Sequence, residues 1–572
     1  MQEDTVTLDG IVPFPPEYVE RYRAKGYWED RTLRDVFAQA CTEYADRVAL
    51  HHDGADMTYG ELEERAARAA RGLWALGLRP LDRVVLQLPN TADFAVTHLG
   101  LQKIGVIPIM ALPAHRYREL EQFARLSDAV AAITPDRSKD ADHREIVARV
   151  RATAPSLRLH IVSGDPGQDA TALSAVLAGG AGAEGDVDLA AVEVDPMEAA
   201  LFQLSGGTTG VPKLIPRLHN DYVFNTKNAM SVCDIRPDDC LLNVLPISHN
   251  LPLACPGLHG FLLAGARTVL HPTTRGAQVF PLIEKHRVTH IHVVPALLIK
   301  WLNDPLIHEY DLSSVRVIQS GGQRLQPETR ALAQRMLPGC RIQENFGMAE
   351  GLLTFVRLDD PEEVRMETVG RPVCPDDEVL LLDENGQEVP DGEVGELAAR
   401  GPYTLRGYFR APEHNARAFT PDGFYLSGDL MRRHPSGNYV VAGRRKDLIN
   451  RGGEKISAEE IENLLIGHPA IVNVACIPVN DPVLGERMCA CVVPREGVAP
   501  PTLHQLTEFL SRHEIAKFKL PERLEIMPSL PLSHVGKVSK KDLVARFADD
   551  APSAVDAPSA DDAPSATPGG DA

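Results

Sequence analysis

Short apolar runs alternate with segments of helical spacing through most of the first 350 residues. RVVLQLPN (83–90) and VIPIMAL (106–112) are typical of buried strands, and TADFAVTHLGLQKIG between them has helical periodicity. Strands that are joined by crossover helices pair in parallel and are covered on both faces. We therefore predict an α/β fold with parallel or mixed sheets, whose ligands bind beyond the carboxyl ends of the strands. Further predicted strands cover residues 199–204, 289–295, 315–320 and 341–346.

The 572-residue chain is too long for one hydrophobic core, and its pattern changes near residue 375. Residues 378–401 predict two strands about an Asn-Gly turn, within a small β-barrel subdomain. The charged, glycine-rich stretch 443–455 is typical of a hinge, and Ser457 with Glu460 predicts a capping box that begins a helix. The predicted divisions are an N-terminal domain (1–442), a small α+β domain (443–548) and a disordered tail of DAPSA repeats (549–572).

Charge and cysteine usage exclude several classes of protein. The net charge is −20, and six aspartates in the last 26 residues supply about −6 of it. Such an acidic body disfavours nucleic acids and anionic membranes as partners. The N-terminus lacks the pattern of a signal peptide, and no apolar run is long enough to span a bilayer. Nine cysteines without a CxxC pair predict reduced thiols and a cytoplasmic protein.

The stretch SGGTTGVPK (205–213) directly follows the predicted strand 199–204. Its glycines let the backbone approach phosphate oxygens, its hydroxyls donate hydrogen bonds, and its lysine adds charge. Pro212 separates the last glycine from the lysine, so the stretch does not fit the Walker A pattern. An isolated loop of this composition is also typical of a flexible turn. The candidate phosphate-binding residues are Ser205, Gly206, Gly207, Thr208, Thr209, Gly210 and Lys213.

Five motifs in order resemble the adenylate-forming superfamily of acyl-CoA synthetases, peptide-synthetase adenylation domains and luciferases. They are SGGTTGVPK, ENFGMAEG (344–351), YLSGDL (425–430), GRRKDLINRGGEKIS (443–457) and PLSHVGKVSKKDL (531–543). The resemblance covers roughly residues 20–545. FPPEYVERYRAKGYW, KLIPRLHNDY and HNLPLACPG are similar to the stand-alone aryl-acid AMP ligases, which activate salicylate or 2,3-dihydroxybenzoate for siderophores and related natural products.

The resemblance implies a two-step reaction that uses ATP and Mg²⁺. An aryl carboxylate attacks the α-phosphate to give aryl-AMP and pyrophosphate, and a phosphopantetheine thiol then takes the acyl group. The thiol belongs to CoA or to an aryl carrier protein, which we expect to act in trans. Because a carboxylate is a weak nucleophile and its target is surrounded by negative oxygens, catalysis depends on positioning and charge stabilisation.

The resemblance also assigns roles in nucleotide binding. Glu350 matches the acidic residue that holds Mg²⁺, Asp429 the residue that binds both ribose hydroxyls, and Arg444 an arginine that meets ribose or phosphate. Lys537 matches the catalytic lysine of the mobile C-terminal domain, and Lys446 matches the residue at which that domain pivots. The nucleotide-binding set also includes Gly347, Met348 and Ala349.

The aryl acid is expected near SHNLPLACPG. By the resemblance, His249 is a catalytic gating residue beside the carboxylate, although a buried core histidine is an equal alternative. Asn250 is expected to bind the ortho-hydroxyl and the carboxylate of the acid. Cys255 stands where salicylate enzymes usually have cysteine and dihydroxybenzoate enzymes serine; a small apolar thiol suits bare salicylate, or merely packs. The other members of the predicted pocket are Leu251, Gly321, Gly322, Gln323, Asn345 and Leu353.

Three pocket residues depart from the family pattern. Leu251 replaces an aromatic residue, Gln323 a small alanine, and Asn345 an apolar valine or leucine. A buried amide without a partner costs roughly 1–3 kcal/mol, so the two new amides indicate a further polar group on the ring. The predicted substrate is a 2-hydroxy- or 2-amino-aryl acid with a further donor or acceptor, such as 3-hydroxyanthranilate or 3-hydroxypicolinate, with salicylate or 2,3-dihydroxybenzoate as simpler members of the class.

Two other functions remain open at this stage. The first is an aromatic acyl-CoA ligase of catabolism, which differs in its thiol acceptor. The second is a nucleotide-binding scaffold without catalysis. Such a scaffold usually lacks the magnesium acid or the mobile lysine, whereas Glu350 and Lys537 are both present here. Light emission, as in luciferases, has no support in the pocket residues.

Overall fold

The computed structural model describes most of the chain and divides it into two compact units. The first contains the described residues up to Lys446 together with Leu532–Lys537, and the second contains Asp447–Pro531 and the residues from Val538 onward. The division therefore falls four residues after the predicted one, and the segment that carries Lys537 belongs to the first unit. The described residues are 8–138, 141–179, 187–205, 213–322, 325, 327–451, 454–481, 484–513, 517–533 and 537–547. The predicted disordered tail lies outside them.

The largest sheet of the first unit has a parallel centre and antiparallel edges. Parallel pairing joins the strands from Arg341–Met348 to Val48–His52, as the alternation of strands and helices predicts. Among the described residues, the order across this nine-stranded sheet is Arg371–Pro372, Gly351–Phe355, Arg341–Met348, Val317–Ser320, His290–Val293, Cys240–Asn243, Arg267–Leu270, Val48–His52 and Ala55–Thr58.

A second sheet of the first unit is parallel except at one edge. Ala199–Leu204, which coincides with the predicted strand, pairs in parallel with Ile107–Met110 and antiparallel with Leu214–Leu218. Among the described residues, the order across this seven-stranded sheet is Leu214–Leu218, Ala199–Leu204, Ile107–Met110, Arg83–Leu86, Ala131–Pro135, Leu159–Ser163 and Thr171–Ala172.

The segment predicted as a barrel-like subdomain forms an antiparallel sheet. In the described part of the chain, four strands follow one another in sequence order. Asn385 and Gly386 lie in the connection after the first strand, where Gly386 has a φ of 77°, as the predicted turn requires. The four strands are Glu378–Leu382, Val394–Arg400, Tyr425–Arg433 and Tyr439–Arg444, and a separate short pair is Arg137–Ser138 with Ala141–Asp142.

Helices of the first unit cover these sheets. Ala92–Lys103 is buried on nearly all sides and contacts strands of both large sheets, and Thr58 caps its neighbour Tyr59–Ala75 through a capping box with Glu61. The described α-helices of this unit are Pro16–Ala24, Leu33–Glu43, Tyr59–Ala75, Ala92–Lys103, Tyr117–Ser127, His143–Thr153, Leu173–Leu177, His219–Met230, Asn250–Ala254, Gly257–Leu263, Gly276–His286, Pro295–Leu302, Pro327–Met336, Glu362–Glu367 and Pro412–Ala418. Short 3₁₀ turns are Pro305–Glu309 and Arg445–Asp447.

The second unit is an α+β domain, as predicted. Ser457 caps the helix Ala458–Leu465 by accepting from the backbone N–H of Glu460. Cys489 and Cys491 face the same apolar cluster, as alternation along a strand requires. The described strands are Leu448–Arg451, Glu454–Ser457, Ile471–Asp481, Gly485–Pro494 and Arg523–Ile526, and the helices are Ala458–Leu465, Leu503–Ser511, Lys540–Phe547 and the 3₁₀ turn Lys517–Lys519.

All nine cysteines are buried free thiols. Within the described residues, every helix is either too short or too polar to cross a bilayer.

Candidate functional site

The ends of the predicted phosphate loop are fixed to one another. The N–H of Ser205 donates to the Lys213 carbonyl at 3.0 Å, and the N–H of Lys213 donates to the Ser205 hydroxyl at 2.9 Å. The Lys213 ammonium lies 5.7 Å from the centre of the Tyr408 ring. Residues 206–212, which include Gly206, Gly207, Thr208, Thr209 and Gly210, lie outside the described residues. The described ends therefore hold Lys213 beside Tyr408.

Tyr408 connects this lysine to Glu350, the predicted magnesium residue. Its hydroxyl donates to Glu350 Oε1 at 2.8 Å and lies 2.9 Å from the hydroxyl of Tyr425. Glu350 is buried in the turn that follows strand Arg341–Met348. Burial raises the pKa of its carboxyl group, and the hydrogen bond from Tyr408 partly opposes that shift. A cation beside Glu350 would favour its ionised form.

Asp429 and Arg444 lie opposite one another on adjacent antiparallel strands. The Arg444 Nε lies 2.8 Å from Asp429 Oδ1, and the N–H of Asp429 donates to the Ser427 hydroxyl at 3.1 Å. Both charges also act on the pKa of Glu350, which Asp429 raises and Arg444 lowers. The structure therefore brings Glu350 together with Asp429 and Arg444, which follow it 79 and 94 positions later in the sequence.

Arg217 is a buried hub to which the sequence assigned no role, although it lies within the quoted stretch KLIPRLHNDY. Its side chain is fully buried and forms an ion pair with Asp221, with 2.9 Å between Nε and Oδ1. It also donates to the carbonyls of Ala349 at 3.0 Å and Tyr403 at 3.2 Å. A long contact of 3.5 Å joins it to Asn225 Oδ1. Because Ala349 precedes Glu350, Arg217 links the nucleotide motif to helix His219–Met230, whose Tyr222 contacts Asn250.

A relay of hydrogen bonds fixes the orientation of Asn250. Gln203 Nε2 donates to the Tyr222 hydroxyl at 3.1 Å, and this hydroxyl donates to Asn250 Oδ1 at 2.8 Å. All three side chains are buried. Since the amide oxygen of Asn250 accepts from Tyr222, its Nδ2 remains the group that can donate to a ligand.

His249 and Cys255 flank the short helix Asn250–Ala254. Burial, together with the charge of the nearby Lys537, lowers the pKa of His249 to about 4, so the imidazole is neutral at pH 7. Cys255 shares an apolar cluster with Leu353, and Leu251 packs against it. Asn225 Nδ2 donates to the Ala254 carbonyl at 3.0 Å and lies 3.5 Å from Cys255 Sγ. This wall of the predicted pocket is therefore mainly apolar.

Gly321 directly follows strand Val317–Ser320, and Asn345 directly follows the part of strand Arg341–Met348 that pairs with it in parallel. A Cβ added at Gly321 would lie 2.4 Å from Asn345 Oδ1, so only glycine leaves room for this amide. Asn345 is 7% exposed, and its Nδ2 has no hydrogen-bond partner among the described residues. Gln323, the other amide that departs from the family pattern, lies outside the described part of the chain.

Lys537 lies in the first unit, together with the other predicted site residues. A Cβ at Gly322, whose φ is 85°, would lie 2.9 Å from Lys537 Cε. The backbone N–H of Lys537 donates to the Ser533 hydroxyl at 3.2 Å. Because its charge also acts on His249, the lysine is close to the predicted acid pocket. Lys446 ends the first unit, inside the 3₁₀ turn Arg445–Asp447.

Family models match both parts of the chain. The model of the AMP-binding enzyme matches residues 37–409, and that of the AMP-binding enzyme C-terminal domain matches residues 460–537. The chain belongs to the AMP-binding enzyme family. This assignment confirms the predicted superfamily and the prediction that the protein is an enzyme.

Individual relatives of this AMP-binding enzyme cover nearly its whole length. It is 44% identical to a salicylyl-CoA synthase / salicylate adenylyltransferase of a Streptomyces species, over 96% of this chain and all of the relative. It is 41% identical to a 2,3-dihydroxybenzoate-AMP ligase of Bacillus subtilis, over 94% of this chain and 97% of the relative. The apo structure of MbtA from Mycobacterium smegmatis superimposes with a TM-score of 0.72 at 42% identity, covering 94% of this chain and 99% of MbtA. The predicted two-domain α/β fold is thereby confirmed.

Several residues of the site received no predicted role from the sequence. Tyr222 ends the quoted stretch KLIPRLHNDY and Tyr408 lies outside every quoted motif, and the contacts of both become apparent only in the fold. Arg217 has a weak signal, since a charge inside the apolar strand Leu214–Leu218 indicates a buried partner, and Asp221 follows four residues later.

Proposed function

We propose that this AMP-binding enzyme activates a 2-hydroxy-aryl carboxylic acid with ATP, forms the aryl-AMP and pyrophosphate, and transfers the acyl group to a phosphopantetheine thiol. The observation that carries this proposal is the relay from Gln203 through Tyr222 to Asn250, which presents an amide donor beside the neutral His249. The names of the salicylate and 2,3-dihydroxybenzoate relatives support the same substrate class.

The relay favours an ortho oxygen over an ortho amine. A donor at Asn250 Nδ2 pairs with a carboxylate or phenolic oxygen, each of which accepts a hydrogen bond. An ortho amino group would instead bring its own donors to a group whose oxygen already accepts from Tyr222. Of the two substituents that the sequence left open, the hydroxyl is therefore the better match.

Charge stabilisation on the nucleotide side would come from Lys537, Lys213 and Arg444. The carboxylate oxygen of the acid attacks the α-phosphorus, the bond to the bridging oxygen of pyrophosphate breaks, and pyrophosphate leaves with that electron pair. Lys537 would offset the negative charge that develops between the acid and the α-phosphate. Asp429 would accept from the ribose hydroxyls, which requires it to exchange part of its contact with Arg444.

The donors at Glu350 fit Mg²⁺. No group of three or more candidate metal ligands occurs among the described residues. Mg²⁺ usually keeps several waters and binds one or two carboxylates together with substrate phosphates, so one buried carboxylate is a suitable donor set. Burial raises the pKa of Glu350, and this carboxyl group would hold the ion. When bound, the ion would act as a Lewis acid that neutralises charge on the phosphates.

A panel of acids in ATP–pyrophosphate exchange tests this proposal. Salicylate, 2,3-dihydroxybenzoate, 3-hydroxypicolinate, 3-hydroxyanthranilate and anthranilate are compared with benzoate and hexanoate. We expect exchange with ortho-hydroxy acids at kcat/KM values well above those for anthranilate and benzoate. Exchange with hexanoate or benzoate alone, or no exchange with any acid, would contradict the proposed function.

The thiol acceptor requires a separate measurement. CoA is one candidate, because the Streptomyces relative is named a CoA synthase, and a phosphopantetheinylated aryl carrier protein is the other. The acyl-adenylate is formed first, each acceptor is then added, and thioester is measured by mass spectrometry. We expect release of AMP with at least one of them; preference for CoA favours the CoA-ligase function.

A further inference from the structure

Asn345 differs from its neighbouring amide on the same strand. Gln343 uses its amide fully, since its Nε2 donates to the carbonyls of Val232 and Val356 and its Oε1 accepts from Gln319. Asn345, two residues further along strand Arg341–Met348, is also buried but leaves its Nδ2 without a partner among the described residues. The strand therefore carries one completed amide and one incomplete amide.

Alternation along the strand places this incomplete amide toward the predicted acid pocket. Side chains two residues apart lie on the same face of a sheet. The partners of Gln343 on that face include the Val232 carbonyl, and Val232 packs against the apolar cluster that contains Cys255 and Leu353. Asn345 lies on the same face, one step closer to the carboxyl end, where ligands of parallel sheets bind.

The orientation of the amide identifies which of its atoms is available. A Cβ at Gly321 would lie 2.4 Å from Asn345 Oδ1 but 3.4 Å from Nδ2, so the oxygen is the nearer atom to Gly321. The atom that has no hydrogen-bond partner among the described residues is the nitrogen, which is a donor. An unused donor in a buried site is strongly unfavourable unless a ligand completes it.

We propose that Asn345 reads a second hydrogen-bond acceptor on the aryl acid, in addition to the ortho oxygen at Asn250. This inference rests on the proposed function and narrows its substrate class. The second acceptor is a ring nitrogen or a second hydroxyl oxygen, as in 3-hydroxypicolinate or 2,3-dihydroxybenzoate. Salicylate, whose ring carries neither a nitrogen nor a second hydroxyl group, would leave the amide of Asn345 incomplete.

Matched acids test the inference in the parent enzyme. Salicylate and 3-hydroxypicolinate have nearly the same shape and differ by the replacement of one ring CH by nitrogen; 2,3-dihydroxybenzoate adds a hydroxyl instead. We expect kcat/KM in pyrophosphate exchange to be about 10- to 100-fold higher for at least one of these two acids than for salicylate. A higher value for salicylate than for both would overturn the inference while leaving the proposed function intact. Exchange with none of the three would instead contradict the proposed function.

The variant Asn345→Leu shows whether this residue is responsible. Leucine is close in size but has no donor, so we expect the ratio of kcat/KM between the acceptor-bearing acid and salicylate to fall by about 10- to 100-fold. Asn345→Val serves as a second substitution if the leucine variant unfolds at a lower temperature than the assay. A ratio that either folded variant leaves unchanged would assign the preference to another residue and overturn the inference.

Gln102→Leu is the matched control. Gln102 is also a buried amide, but it lies in helix Ala92–Lys103 and donates to the Ala200 carbonyl at 2.9 Å. Its replacement should lower the melting temperature without changing the ratio between the acids. A change of ratio in this control equal to that in Asn345→Leu would show that loss of any buried amide has the same effect, and would overturn the assignment to Asn345.

Discussion

The nucleotide side and the acid side of the proposed site differ in whether their polar side chains have partners within the described protein. On the nucleotide side, Asp429 pairs with Arg444, and Glu350 accepts from Tyr408, so the described carboxylates have partners within the protein. On the proposed acid side the groups are neutral amides, and the Nδ2 of Asn345 has no hydrogen-bond partner among the described residues. In the proposed function, ATP would exchange existing contacts, whereas the acid would supply a missing one. We therefore propose that the acid side distinguishes between substrates.

Arg217 links the two sides, and its loss should have the largest effect. Arg217→Met would leave Asp221 buried without its counter-charge, and removal of one partner of a buried pair costs about 3–5 kcal/mol in the free energy of unfolding. Asp221→Asn in the same chain should recover much of this loss, because it removes the charge and keeps an acceptor for the N–H of Leu218. Chemical denaturation measures both values.

A surface pair provides the control for Arg217. Arg410 pairs with Asp128, and both side chains are substantially exposed, so Arg410→Met should cost less than about 1 kcal/mol. If Arg217→Met destabilised the protein no more than this control, Arg217 would not be the buried link between the two sides of the site.

Lys537 tests the nucleotide side next. Lys537→Ala should reduce the rate of aryl-AMP formation by about 10²- to 10³-fold, because a stabiliser of developing charge is lost. Single-turnover chemistry with radiolabelled ATP measures this step apart from thiol transfer. Lys519→Ala, which removes an ion pair with Glu460 in the second unit, is the control and should retain nearly the parent rate. Parent-like aryl-AMP formation in Lys537→Ala would contradict the assigned role.

The variant Tyr408→Phe tests the role of Glu350 through the pH dependence of activity. Burial raises the pKa of Glu350, and its ionised form is the one that holds a cation, so activity falls as the pH falls through that pKa. Tyr408→Phe removes a hydrogen bond that favours the carboxylate, which raises this pKa further. The acid limb of kcat/KM for MgATP should consequently move to higher pH, by about one unit for roughly 1.4 kcal/mol.

Tyr59→Phe distinguishes this effect from a general loss of a buried hydroxyl. Tyr59 is equally buried, and its hydroxyl donates to the Ala266 carbonyl at 2.7 Å, away from Glu350. Its replacement should leave the acid limb in place. If the acid limb is at the same pH in Tyr408→Phe and in the parent, the ionisation of Glu350 does not cause that limb, and the prediction is contradicted.

Cys255 should give the smallest effect, on the acid side alone. Cys255→Ser places a hydroxyl in an otherwise apolar wall, and we expect kcat/KM for 2,3-dihydroxybenzoate relative to salicylate to rise about 3- to 10-fold. Cys240→Ser, in a different apolar cluster, should leave the ratio unchanged. A ratio that Cys255→Ser leaves unchanged would indicate that the thiol only packs, and a fall would contradict the prediction.

Residues that act through contiguous motifs could be predicted from sequence, and residues that act through distant partners could not. Strand Ala199–Leu204 and the pairing of segments around Asn385 follow from local pattern. Asn345 could be singled out from the sequence because the family pattern has an apolar residue at this position. Tyr408, by contrast, matters only because the fold brings it to Glu350, 58 residues away. The roles assigned to Lys537 and Glu350 stay predictions until their variants are measured.

The chain of hydrogen bonds that begins at Gln203 offers a way to change substrate preference by a substitution outside the proposed acid pocket. Its polarity runs in one direction, because an amide N–H at its start makes Tyr222 donate onward. Gln203→Glu would supply an acceptor instead, turn the tyrosine proton around, and rotate the terminal amide so that its oxygen meets the incoming molecule. An enzyme altered in this way would be a starting point for loading amines such as anthranilate, with the wall of the cavity left untouched.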